Sequence, residues 1–242
     1  MLITPSKQRT IACVTSKGGA GKSTIADALA SVLVEVFDVP TTLFDMDPQG
    51  TASTSLGATR NPGGSAKVIC SSLGEAHTQI VLANKLKIYS GNDDLDNPKI
   101  DRVPQGNLKS FIEKEKIMAS VIDTSNKDWN LTNIALSAAT HAVVIFEPDR
   151  AGYQEGTVML EQIAQFPHVT PVIVFNQFQE NRELSTMVLE DIQANFPMVP
   201  LVKVHHSEEF KKARMAQVPI VSWKKKGRHV DQITELLEII YK

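Results

Sequence analysis

The stretch Ser16-Lys17-Gly18-Gly19-Ala20-Gly21-Lys22-Ser23-Thr24 decides how the rest of the 242-residue chain is read. An apolar run, Ile11-Ala12-Cys13-Val14-Thr15, precedes it, and a segment of helical periodicity follows. A strand, a glycine-rich turn and a helix in that order build a cradle for phosphate. Glycines let backbone N–H groups converge on an anion, and the helix N-terminus adds partial positive charge. In such a loop Lys22 meets the β- and γ-phosphates of a nucleoside triphosphate, and the Ser23 hydroxyl ligates Mg²⁺. Gly18, Gly19, Ala20, Gly21 and Thr24 complete the expected wrap around the phosphates.

Outward from the loop, Ile25, Ala28, Leu29, Val32, Leu33 and Val36 recur along one helical face, so a helix is expected from about Lys22 to Val36. Pro40 ends the connection, and Thr41–Phe44 reads as a short strand closing on Asp45-Met46-Asp47-Pro48-Gln49-Gly50. Thr51–Ala66 reads as loop or short helix, and Lys67–Leu82 is compatible with a helix. Further strands are expected at Leu86–Ser90, Ala119–Asp123, Ala142–Phe146, Pro171–Phe175 and Leu201–Val204. Helices are expected at Leu108–Lys116, Trp129–Thr140, Tyr153–Phe166, Glu183–Phe196, Ser207–Ala216 and from about His229 onward. Val158, Met159, Ile163 and Phe166 fall at helical spacing in one of these, and Leu184, Met187, Val188 and Ile192 on one face of another.

Strands alternating with helices, and strands apolar along their whole length, predict an α/β protein with a single doubly wound, mostly parallel sheet covered by helices on both faces. One domain is expected over residues 1–242. In such a sheet, ligands sit at the carboxyl ends of the strands. The glycine-rich loop, Asp45, Asp47, Asp123 and Asn176 all fall at those ends.

Composition bounds the function. With 42% hydrophobic residues the chain can bury a substantial core, and a formal charge of −2 excludes a polycation, so any nucleic-acid binding needs a local patch. Such a patch is present between Lys203 and Arg228. Lys203, Lys211, Lys212, Arg214, Lys224, Lys225, Lys226 and Arg228 face only Glu208 and Glu209 there, a net of six positive charges. No helix-turn-helix pattern accompanies it, so DNA binding through it would be independent of sequence. Cys13 and Cys70 make no disulfide framework, and no signal peptide or spanning segment is read, which points to a cytoplasmic protein.

Mg²⁺ keeps several waters and takes few protein ligands, usually a hydroxyl and a nearby carboxylate. Ser23 supplies the first. Asp123, at the end of Ala119-Ser120-Val121-Ile122, stands where a metal-side carboxylate is expected.

Lys17 directly before the two glycines, with Gly-Lys-Ser following, resembles the deviant phosphate loop of the ParA/MinD family of ATPases. Asp45-Met46-Asp47-Pro48-Gln49-Gly50 is similar to that family's second motif, and Glu208–Ile220 to its closing helix and adenine loop. The resemblance runs from about Ile11 to Val221. It implies ATP and Mg²⁺ as cofactors, with Lys17 reaching a partner subunit's nucleotide in an ATP-bound homodimer. It further implies that Asp47 aligns the attacking water, that Asp45 helps hold the metal's water shell, and that Asn176 reads the adenine edge. Catalytic roles thus fall to Lys17, Lys22 and Asp47, and the metal to Ser23, Asp45 and Asp123.

Within the family the basic segment favours the DNA-partition branch, with Lys211, Lys212, Arg214, Lys224, Lys225, Lys226 and Arg228 on non-specific double-stranded DNA and a ParB-like adaptor stimulating hydrolysis. The last helix carries Asp231, Glu235 and Glu238, which anionic lipid would repel, so no membrane binding is expected. The N-terminal DNA-binding extension of longer ParA proteins is not read in this chain. Thr124-Ser125-Asn126 departs from the Thr-Pro-Pro of many members and leaves the subfamily open. Three alternatives stand beside partition: an ATPase positioning another cargo, a nucleotide-dependent scaffold with negligible turnover, and a metal-cluster carrier, the last disfavoured by the unpaired cysteines.

Overall fold

A computed structural model describes residues 7–60, 63–70, 79–81, 85–126 and 128–242. Strand β1 (Arg9–Val14) runs through the middle of the sheet and is buried on both faces. Ile11 and Cys13 point into one hydrophobic cluster, Ala12 and Val14 into the other. That two-sided burial is why the strand reads as a continuous apolar run.

The chain continues through α1 (Lys22–Glu35), β2 (Thr41–Asp45), α2 (Thr51–Ser55), α3 (Gly64–Ile69), β3 (Gln79–Val81) and β4 (Leu86–Tyr89). Two short 3₁₀ turns, Asp93–Asp96 and Ile100–Arg102, lead to α4 (Asn107–Lys114), β5 (Ala119–Asp123), α5 (Trp129–Ala138) and β6 (His141–Phe146). Then come α6 (Arg150–Ile163), β7 (Thr170–Phe178), α7 (Glu183–Asn195), β8 (Leu201–His205), α8 (Glu208–Met215), α9 (Ile220–Trp223) and α10 (Arg228–Ile240).

Among the described residues the sheet has eight strands in the order β3-β4-β2-β5-β1-β6-β7-β8. All neighbours are parallel except β3, which runs antiparallel to β4 at the edge. Helices α1, α8, α9 and α10 bury their apolar sides against one face, and α3, α4, α5, α6 and α7 against the other. The chain passes from β5 to β6 across β1, so the order reverses at β1 and opens a crevice at its carboxyl end. The doubly wound, mostly parallel architecture is therefore as the apolar strands indicate.

Several local expectations need correction. Lys67–Leu82 is not one helix: helix α3 ends at Ile69, strand β3 occupies Gln79–Val81, and the intervening part lies outside the described residues. The strand at Pro171–Phe175 extends to Phe178 and so contains Asn176. Val36, Val158, Leu184 and Met187 are exposed, because helical spacing marks a face without stating how much of it the sheet covers. Among the described residues no helix is long and apolar enough to cross a membrane.

Candidate nucleotide site

The loop between β1 and α1 turns on two glycines in the left-handed region, Gly19 at φ 83° and Gly21 at φ 88°. A Cβ at Gly19 would meet nothing within 4 Å, so open space fronts the loop there. Helix α1 starts immediately after Gly21 and aims its free N–H groups at that space. A cleft of about 430 Å³ is lined by every residue from Lys17 to Thr24, together with Asp47 and Asn176. The first half of the chain and strand β7 thus meet at one cavity.

Asp45 and Asp123 lie behind the cleft rather than in its wall. They are paired in register on β2 and β5, and both are fully buried. Lys22 Nζ lies 2.7 Å from Asp123 Oδ1 and also donates to the Thr124 carbonyl. Burial alone would push the Lys22 ammonium down, but the charges of Asp123, Asp47 and Asp45 outweigh it and raise its pKa. Asp45 accepts from the Ser53 N–H at 2.8 Å, the Ser53 hydroxyl at 2.7 Å and the Asp47 N–H at 3.1 Å. Burial, with the Asp123 charge beside it, still pushes its pKa up to about 7. Its contacts tie the Asp45–Gly50 turn to α2.

Among the described residues Asp123 Oδ2 is buried without a hydrogen-bond partner. An orphaned carboxylate oxygen close behind a loop that carries the Ser23 hydroxyl is the donor set a hard cation takes, so the residues fit Mg²⁺. Asp47 stands at the cleft edge, with Oδ1 accepting from the Gln49 N–H at 2.9 Å.

Lys17 Nζ lies 2.7 Å from both Glu147 Oε2 and Asp149 Oδ2. The two carboxylates outweigh desolvation and raise its pKa, and Lys17 in return lowers that of Asp149. Ser16, where an ordinary phosphate loop has glycine, donates to the Glu155 carboxylate on α6. Both residues that open the loop are therefore fastened to the β6–α6 connection and to α6. Composition and motif gave no notice of Glu147, Asp149 or Glu155. The strand-end rule would have found the first two, since they directly follow β6.

The predicted basic surface divides. Lys211 and Arg214, from the segment similar to the family's closing helix and adenine loop, line the nucleotide cleft with Phe210 and with His205, which motif reading did not assign. Lys211 pairs with Glu208 at 2.9 Å, Lys212 with Glu209 at 3.2 Å and Arg228 with Glu180 at 3.3 Å. Lys224, Lys225 and Lys226 are exposed and make no ion pair among the described residues.

Residues 11–220 match the family model described as the CobQ/CobB/MinD/ParA nucleotide binding domain. The chain belongs to the ParA/MinD family of P-loop ATPases. No curated protein matches it. Among solved structures it is similar to apo McdA from Cyanothece, at 17% identity, covering 95% of this chain and 99% of that one with a TM-score of 0.81. Cobyrinic acid a,c-diamide synthase from Mycobacterium smegmatis is also similar, at 18% identity, 96% and 92% coverage and a TM-score of 0.78. So is a plasmid partition protein from Borrelia burgdorferi, at 17% identity, 97% and 98% coverage and a TM-score of 0.74. At such identities these likenesses speak for a shared fold alone.

Proposed function

We propose that this chain is a ParA-type ATPase for DNA partition, cytoplasmic and associated with the nucleoid. The observation that carries the reading is Lys17, a second lysine at the mouth of the phosphate loop, held in ion pairs by Glu147 and Asp149. In this reading ATP enters the cleft, Lys22 leaves Asp123 for the β- and γ-phosphates, and Ser23, with Asp45 and Asp123 behind it, holds Mg²⁺. Mg²⁺, when bound, neutralises charge on the phosphate oxygens. Asp47 orients a water toward the γ-phosphate, since phosphoryl transfer needs positioning more than covalent help. Lys17 leaves Glu147 and Asp149 to meet the nucleotide of a second copy, as an arginine finger does in other NTPases. The resulting homodimer binds double-stranded DNA without sequence preference, and a cargo-bound ParB-like adaptor stimulates hydrolysis. Turnover is slow on its own.

Two outcomes test the reading. Reversing Lys224, Lys225 and Lys226 to glutamate is expected to weaken DNA binding and to make log K against log salt shallower by up to about 2.7, at about 0.9 for each phosphate no longer neutralised. An unchanged slope in a salt titration would place the DNA surface elsewhere. Glu147→Gln combined with Asp149→Asn is expected to bring ATP-dependent dimerisation to a roughly two- to fivefold lower protein concentration, the scale of a partly exposed ion pair. Sedimentation of wild type and variant with ATP checks it, and a higher required concentration would contradict the release of Lys17. Measuring ATP hydrolysis with and without double-stranded DNA tests the assignment as a whole.

A further inference from the structure

We infer that Asn126 is a further catalytic residue, holding the attacking water together with Asp47; the inference rests on the nucleotide reading above. Beside the nucleotide cleft lies a second cavity of about 650 Å³, whose walls include Pro48, Gln49, Asp101 and Trp129. Among the described residues, only Asp47 and Asn126 line both spaces. These two side chains form the ridge between them, where solvent from the outer cavity meets whatever fills the inner cleft.

Asn126 is placed by its neighbours and not by its own amide. Thr124, fully buried, donates through its hydroxyl to the Cys13 carbonyl at 2.9 Å. The Ser125 carbonyl accepts from the Thr132 hydroxyl at 3.3 Å. Those two bonds fix the chain just before Asn126 to β1 and α5. The half-buried amide of Asn126 makes no hydrogen bond to the protein among the described residues. Both its donor and its acceptor are therefore open to a ligand. A Cβ at Gly18 would lie 3.0 Å from Asn126 Nδ2, so the nitrogen end packs against the phosphate loop. The oxygen end is thereby turned from the loop and left to accept.

That is the group a nucleophilic water needs. With Asp47 as its one acceptor, a water swings freely about a single hydrogen bond. Giving its second hydrogen to Asn126 Oδ1 stops the swing and leaves a lone pair for phosphorus. The water oxygen then bonds to the γ-phosphorus as the bond from that phosphorus to the bridging oxygen breaks. ADP departs with the electron pair, and one water proton passes to Asp47.

The test measures ATP affinity by calorimetry and single-turnover phosphate release for wild type, Asn126→Ala and Asn126→Leu, with thermal melts to confirm folding. Leucine keeps the volume of asparagine and accepts nothing, which covers the case where alanine unfolds. Turnover is expected to fall roughly tenfold, the worth of about one hydrogen bond, with ATP affinity within about threefold of wild type. Because both residues act on one water, Asp47→Ala combined with Asn126→Leu should be no more than about twofold slower than Asp47→Ala. Unchanged turnover, a loss carried by ATP affinity, or a full further tenfold in the double variant would overturn the inference. Failure of wild type to bind ATP would remove the nucleotide reading itself, a result distinct from these.

Discussion

Lys22→Ala is expected to abolish ATP binding, with affinity falling at least roughly a hundredfold as the charge-assisted hydrogen bonds to phosphate disappear. It should also unsettle the protein without nucleotide. Lys22 is 6% exposed and is the ion-pair partner of Asp123, which lies beside Asp45 in the sheet. Removing it leaves a buried carboxylate without a counter-charge, a loss of about 3–5 kcal/mol by precedent for broken buried pairs. Thermal melts should show a large drop for Lys22→Ala and substantial recovery when Asp123→Asn is added, while the double variant still fails to bind ATP in calorimetry. A Lys22→Ala protein that melts like wild type would mean that Asp123 finds another partner, and one that binds ATP normally would end the phosphate assignment.

Asp47→Ala should separate binding from turnover. Among the described residues the Asp47 carboxylate accepts a hydrogen bond only from the Gln49 N–H, whereas its backbone N–H is what anchors the turn to Asp45, so alanine leaves that anchor in place. ATP affinity is expected to change by less than a factor of about three, and turnover to fall by roughly a hundredfold or more, the usual scale for a positioned water-activating group. The ATP-bound dimer would then persist. Wild-type turnover by this variant would hand the role to another residue of the cleft.

Much of this site was legible because its pieces are local. Gly19 and Gly21 need left-handed backbone, Lys22 and Ser23 follow them, and apolar strands end in Asp45 and Asp123 at the rim a parallel sheet dictates. What stayed hidden depends on contacts between distant segments. Glu147 and Asp149 are unremarked acids until β6 is set beside β1. Asn176 is expected at the nucleotide by family likeness, but its hydrogen bond to the Ala20 carbonyl depends on the placement of β7 beside the loop. Asp27 lies among the apolar residues that follow the first turn of α1, and its hydrogen bond from Ser55 exists only because α2 packs on α1. Leu184 and Met187 erred in the other direction, since periodicity gives a stripe but not its covered width.

Lys17 already holds two carboxylates within one chain. Carrying that lysine to a second copy would exchange one set of ion pairs for another rather than create new ones. The net electrostatic gain is then a small difference, and added salt weakens both sides of it together. Assembly through Lys17 should therefore respond little to ionic strength, whereas contact between the exposed lysines and a phosphate backbone should respond steeply. Raising salt would in that case strip the protein from DNA while leaving the nucleotide-bound pair intact, making the two steps of the cycle separable in a single titration.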